Sequence, residues 1–181
     1  GFVPPRDGST TRMTPARRFL DRSRTHLTDE YLPKIRRCLE GLSENETWYA
    51  PNKVSNSIGN LMLHLEGNLR QWILHGVAGT PDVRDREWEF RQYKTATKVE
   101  LLARLEVVLK EVDAVLAGLT EDELLASRCI QGADVSVLDA VYHAVEHFSM
   151  HTGQIITLTK LISNRDLKFY RFEFDVAYRN W

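Results

Sequence analysis

The chain has 181 residues, enough for one domain with a core of its own. Its hydrophobic fraction of 43% and charged fraction of 27% are ordinary for a globular protein. No apolar run approaches the roughly 18 residues that span a bilayer, and a formal net charge of -1 supplies no field for nucleic acid, so neither a membrane nor a nucleic acid is an expected partner.

Residues 1–14 are polar and rich in Pro and Arg; they are expected to form a flexible N-terminal segment with no signal-peptide pattern, ahead of a single domain over 15–181. The first helical segment runs from about Pro15 to Gly41, with Thr14 as N-cap and Pro15 in the first turn. Leu20, Leu27, Tyr31, Ile35 and Leu39 keep helical spacing, and Pro33 inside that pattern predicts a kink. Cys38 lies here and Cys129 far downstream, in no C-x-x-C pattern. Both read as reduced, buried thiols, which favours a cytoplasmic location.

The second segment runs from about Asn56 to Gly76, with an apolar face of Ile58, Leu61, Leu65, Leu69, Trp72 and Ile73. A polar line, Ser57, Asn60, His64, Asn68 and Gln71, runs down the same helix. Then comes a long charged connection, 80–95, with Arg84, Asp85, Arg86, Trp88 and Glu89; it reads as a solvated connector held by local ion pairs or as a cover for a site mouth.

The third segment, Lys98 to Gly118, opens on the capping-box pair Thr97 and Glu100 and stops at glycine. A short helical turn at Thr120 to Leu125 follows, then a loop at Gly132, and no strand is expected. The fourth segment runs from Val137 to about Ile162, capped by Ser136. Four amphipathic helices of about 20 to 27 residues predict an all-α fold, an antiparallel four-helix bundle. The long connection between helices 2 and 3 leaves room for a crossover.

The fourth segment contains Glu146-His147-Phe148-Ser149-Met150-His151-Thr152-Gly153-Gln154. Residues i and i+4 share a helix face, so His147 and His151 can aim both imidazoles at one spot. Zinc and similar ions accept imidazole nitrogen, and His64, in the middle of the apolar second segment, is a natural third ligand. The other reading of His64 is a buried ring hydrogen-bonded to Asn60 and Asn68. His143 is one turn before His147, but successive i+4 steps fan out by about 40° each, which favours a supporting role for it. Asn60, Asn68, His143, Glu146 and Gln154 are the candidate accessory or catalytic groups. The chain has no repeated Glu-x-x-His pair, no H-E-x-x-H helix and no Gly-rich phosphate loop.

Taken together, Asn56 through Asn68, Arg84-Asp85-Arg86 with Glu89-Phe90, and Glu146-His147 through Gly153-Gln154 resemble the DinB/YfiT-like superfamily of metal-binding four-helix bundles. The resemblance implies one divalent ion, zinc or nickel, on His64, His147 and His151, with the remaining positions for water or substrate. It implies a metal-dependent enzyme of hydrolase or thiol-dependent transferase type, acting on a small molecule with water or a low-molecular-weight thiol, and often a homodimer. It implies neither DNA polymerisation nor DNA binding. A non-catalytic dimeric helical module with a structural metal site is the alternative.

Overall fold

The computed structural model describes residues 13–174 and 176–181, so all of the expected flexible segment but Met13 and Thr14 lies outside the described residues. Thr14 is the N-cap foreseen: it is extended, and its hydroxyl accepts from the Arg17 amide. It opens α1 (Pro15–Thr25). The helix then widens into one π turn, His26–Tyr31, and resumes as α2 (Leu32–Glu40).

The wide turn sits where Pro33 requires it. Proline has no N–H to give the Asp29 carbonyl, and its ring crowds that position. The turn takes up the clash, and the Leu32 amide reaches back five residues to Leu27. The Asp29 carbonyl released in this way accepts from Trp181 Nε1 at 2.8 Å, which brings the C-terminus onto the helix.

A capped turn, α3 (Glu44–Thr47), leads into α4 (Ile58–Leu69), which continues as a second π turn, Arg70–His75. The long connection is not irregular throughout, because it holds α5 (Arg86–Arg91), capped by Asp85. Next is α6 (Lys98–Gly118), with the expected capping box. After a 3₁₀ turn at Asp122–Leu125, β1 (Ser127–Ile130) and β2 (Ala133–Ser136) pair antiparallel. Ser136 caps α7 (Val137–Ser163), and Asn164 ends it in the left-handed conformation. A second hairpin, β3 (Tyr170–Glu173) with β4 (Val176–Arg179), follows.

The two hairpins correct the expectation of no strand. In the first, Gln131 and Gly132 both have positive φ, at 53° and 79°, as a tight two-residue turn demands. Four-residue strands with mostly exposed side chains carry no alternating apolar pattern.

The bundle is built from α1–α2, α4, α6 and α7. Glu66 pairs with Arg104 and Arg70 with Glu111, so positions on α4 and α6 advance together and the two run the same way. Arg24 pairs with Asp113 and Arg36 with Glu106, so α1–α2 opposes α6. Asn68 meets His143 while His64 meets His147, so α7 opposes α4. Two helices thus run each way, and the 80–95 connection is a crossover. Leu20, Leu27, Ile35, Leu61, Leu65, Leu105, Val108 and Phe148 fill the core. Cys38 is buried there, but Cys129 is exposed on β1, unlike the buried thiol foreseen for it. Among the described residues no helix is long and apolar enough to cross a membrane.

Candidate metal centre

Opposed helices bring two rows of polar side chains face to face inside this apolar core. On α4 and the turn after it, one turn apart, come His64, Asn68 and Trp72; on α7 come His151, His147 and His143. The register of α4 is set by a capping box in which Ser57 accepts from the Asn60 amide and Asn60 returns the bond.

His64, His147 and His151 meet. His64 Nε2 is 2.9 Å from His147 Nε2, and His147 Nε2 is 3.2 Å from His151 Nε2. His64 and His151 are buried, and His147 is half-buried.

The outer nitrogens decide what these inner ones can do. Glu89 Oε2 lies 2.8 Å from His64 Nδ1. A carboxylate can only accept, so a neutral His64 paired to it carries its proton on Nδ1 and turns the Nε2 lone pair inward; Arg84 Nη2 also lies 3.1 Å from this Nδ1, but it donates to Glu89 Oε2. Gln154 Oε1 takes the same role at His151 Nδ1, at 2.7 Å. Two lone pairs therefore face His147 Nε2. His147 can donate to at most one of them, and its own Nδ1 is buried with no partner among the described residues.

A single cation among the three Nε2 atoms removes this conflict. Two bonds of about 2.0–2.1 Å at a tetrahedral angle hold neighbouring nitrogens about 3.3 Å apart, close to the 2.9 and 3.2 Å from His147 to its two neighbours, and the three ligand atoms all lie within 4.8 Å of one another. The three histidines could hold a metal ion, and no other group of at least three such side chains is found among the described residues. The surroundings of His147 and His151 favour the neutral, ligating form. Burial, with the neighbouring His151, His64, His143 and Arg84, lowers His147 to about 3. Burial also lowers His151, against the Gln154 hydrogen bond, which raises it.

The accessory residues fall into different places. Gln154 orients His151. Asn68 Nδ2 reaches His143 Nε2 at 3.3 Å, and the His143 ring packs tilted against Trp72 with 3.9 Å between centroids. Asn60 donates to the carbonyls of Glu89 and Gln92 and so fixes the end of α5. Glu146 is exposed.

The partner of His64 foreseen among the amides is instead Glu89. Its side chain and that of Arg84 are 5% and 4% exposed, so this part of the connection is no solvated link. Arg84 grips both Glu89 oxygens, Nε to Oε1 at 2.7 Å and Nη2 to Oε2 at 3.0 Å, and reaches Gln71 through Nη1 at 3.0 Å. Burial raises the Glu89 pKa, but the hydrogen bonds to His64 and Arg84 outweigh it and hold the carboxyl below its usual range, hence ionised. The one local signal for this contact was Gly67 inside an apolar helix. A Cβ there would overlap Glu89 Oε1, so glycine admits the carboxylate to α4. Phe90, next in sequence, packs on the His64 ring at 4.6 Å, and the Arg86 guanidinium lies over Phe90 at 5.1 Å.

A helical bundle with a three-histidine cluster and a crossover is the class that fold and site define. Residues 14–172 match the family model described as "Protein of unknown function (DUF1572)". The chain belongs to that family. A search of curated proteins gives no match. Among solved structures, a conserved protein from Enterococcus faecalis aligns with a TM-score of 0.68 at 18% identity, over 85% of this chain and 100% of that one. A DinB-like protein (YjoA) from Bacillus subtilis aligns at 0.59 and 17% identity, over 82% of this chain and 94% of that one. A protein from Streptococcus pneumoniae aligns at 0.62 and 16% identity, over 80% and 91%. At these identities the likeness is one of fold, and the fold is DinB-like.

Proposed function

We propose that this chain is a mononuclear metalloenzyme that holds one zinc or nickel ion on His64, His147 and His151. In this reading it activates water or a low-molecular-weight thiol against a small electrophilic substrate. The observation that carries it is the set of three Nε2 atoms, two with the lone pair fixed inward by Glu89 and Gln154. Three neutral imidazoles leave the ion its full charge and at least one open position, the layout of catalytic rather than closed sites. When bound, such an ion supplies Lewis acidity: it lowers the pKa of a bound water or thiol and polarises a carbonyl.

The protein's own residues do the rest. Glu89 and Gln154 fix ring orientation, and the carboxylate strengthens His64 as a donor. Phe90 packs against His64, and Trp72 packs against His143 beside the cluster. A groove of about 620 Å³, lined by Leu61, Met150, Gly153, Gln154 and Thr157 among others, adjoins the residue that orients His151 and is the proposed substrate approach. The free thiols fit a cytoplasmic enzyme, and exposed Phe172, Phe174 and Val176 offer a surface a second copy would cover in a homodimer.

One observation favours the alternative, a structural metal in a non-catalytic dimeric module: His64 and His151 are only 4% and 8% exposed. The two separate experimentally. The protein, refolded with zinc or nickel, is assayed for metal content and then offered thiols with reactive electrophiles, and esters and amides. The proposal expects one ion per chain, lost in His64→Ala and His147→Ala, and turnover lost with it. Stoichiometric metal with no turnover, and a melting temperature that falls on chelation, would leave the structural role. No stoichiometric metal would end both.

A further inference from the structure

Two of the three imidazoles have a visible partner on the outer nitrogen, and His147 has none. The indole Nε1 of Trp72 is buried and unpaired among the described residues, and His147 Nδ1 and Asn68 Oδ1 share that state. One is a donor whenever Nε2 ligates, and the other is an acceptor. Leaving both without partners is costly inside a core. They are also neighbours of a single ring. Asn68 Nδ2 donates to His143 Nε2 at 3.3 Å, and the His143 and His147 rings lie 5.4 Å apart between centroids. Trp72, packed tilted against His143, holds that ring in place. His143 thus turns the amide nitrogen of Asn68 towards itself and leaves Oδ1 free, although Asn68 is only 4% exposed.

We infer that Asn68 is the positioning residue of His147, its Oδ1 taking the Nδ1–H through one bridging water. His143 serves as the brace that sets the carboxamide. Each ligand then has its own acceptor from a different part of the fold: Glu89 on α5 for His64, Gln154 on α7 for His151, Asn68 on α4 for His147. The inference rests on the metal reading above, and the test separates them.

Cobalt(II) replaces the native ion, and its affinity is read by chelator competition and its geometry by visible absorption. Asn68→Leu removes the acceptor at similar volume and is expected to weaken cobalt binding roughly 10–100-fold and shift the absorption bands. Asn68→Asp keeps an acceptor and is expected to bind at least as tightly as the wild type. Equal affinity and spectra in Asn68→Leu would overturn the inference while leaving the ion in place. So would an equal loss in both variants, which marks a packing role. A wild type that binds no cobalt overturns the metal reading and the inference with it. A measurement on the unsubstituted protein guards against misfolding of the variants. In the zinc form, three slowly exchanging imidazole Nδ1–H protons are expected by NMR, and only two, with that of His147 absent, would overturn the inference.

Discussion

The tension in this site resides in single rings. His147 is surrounded by other imidazoles and by burial, and its pKa falls to about 3. A histidine kept neutral in the fold binds fewer protons than the same residue unfolded, where it titrates near 6.5. Its contribution to stability is therefore complete above about pH 6.5 and is lost as pH falls towards about 3. The metal-free protein, held in chelator, should have a denaturation midpoint that decreases steadily from pH 7 to pH 4, and much less steeply in His147→Gln. A flat profile in the wild type would contradict the placement of that ring. Glu89 carries a second residue-level expectation. Removing it leaves Arg84 buried without its partner, so Glu89→Ala should cost about 3–5 kcal/mol by urea denaturation. It should also weaken metal binding roughly tenfold or more.

At the scale of elements, what the chain revealed in advance depended on how local the information was. Helix starts were legible because Thr14, Thr97 and Ser136 act within three residues of themselves. The kink at Pro33 was legible too, although its form as a π turn depends on how the neighbouring carbonyls are satisfied, one of them by Trp181, 152 residues on. Glu89 was not legible as the partner of His64, because 25 residues and a crossover separate them. A charged loop residue has the same composition whether it is solvated or buried. The hairpins were missed because turn geometry, not apolar alternation, makes them.

Two expectations belong to this scale. Gly67→Ala should push Glu89 from α4, lower stability by about 1–3 kcal/mol and weaken metal binding. An unchanged chelator-competition curve would show that Glu89 has another route to His64. Gly153→Trp should do the reverse. A Cβ at Gly153 meets nothing within 4 Å, so a large side chain there fills the groove beside Gln154. Metal content should stay at the wild-type level while turnover falls at least tenfold; retained turnover would place the substrate elsewhere.

For the molecule as a whole, the bundle holds one helix from each direction against the other so that two rows of polar side chains are enclosed by apolar ones. His64 and its partners lie among Leu61, Leu65 and Phe148, where unpaired imidazoles are costly. The crossover does more than connect: it delivers Arg84 and Glu89 to the back of that row. X-ray absorption at the metal edge of the zinc-loaded protein tests this arrangement most directly. The expected result is three imidazole nitrogens at about 2.0–2.1 Å, with one or more oxygen ligands completing the shell. A first shell containing sulfur, one made of carboxylate oxygens without imidazole, or protein that retains no zinc at all would contradict it.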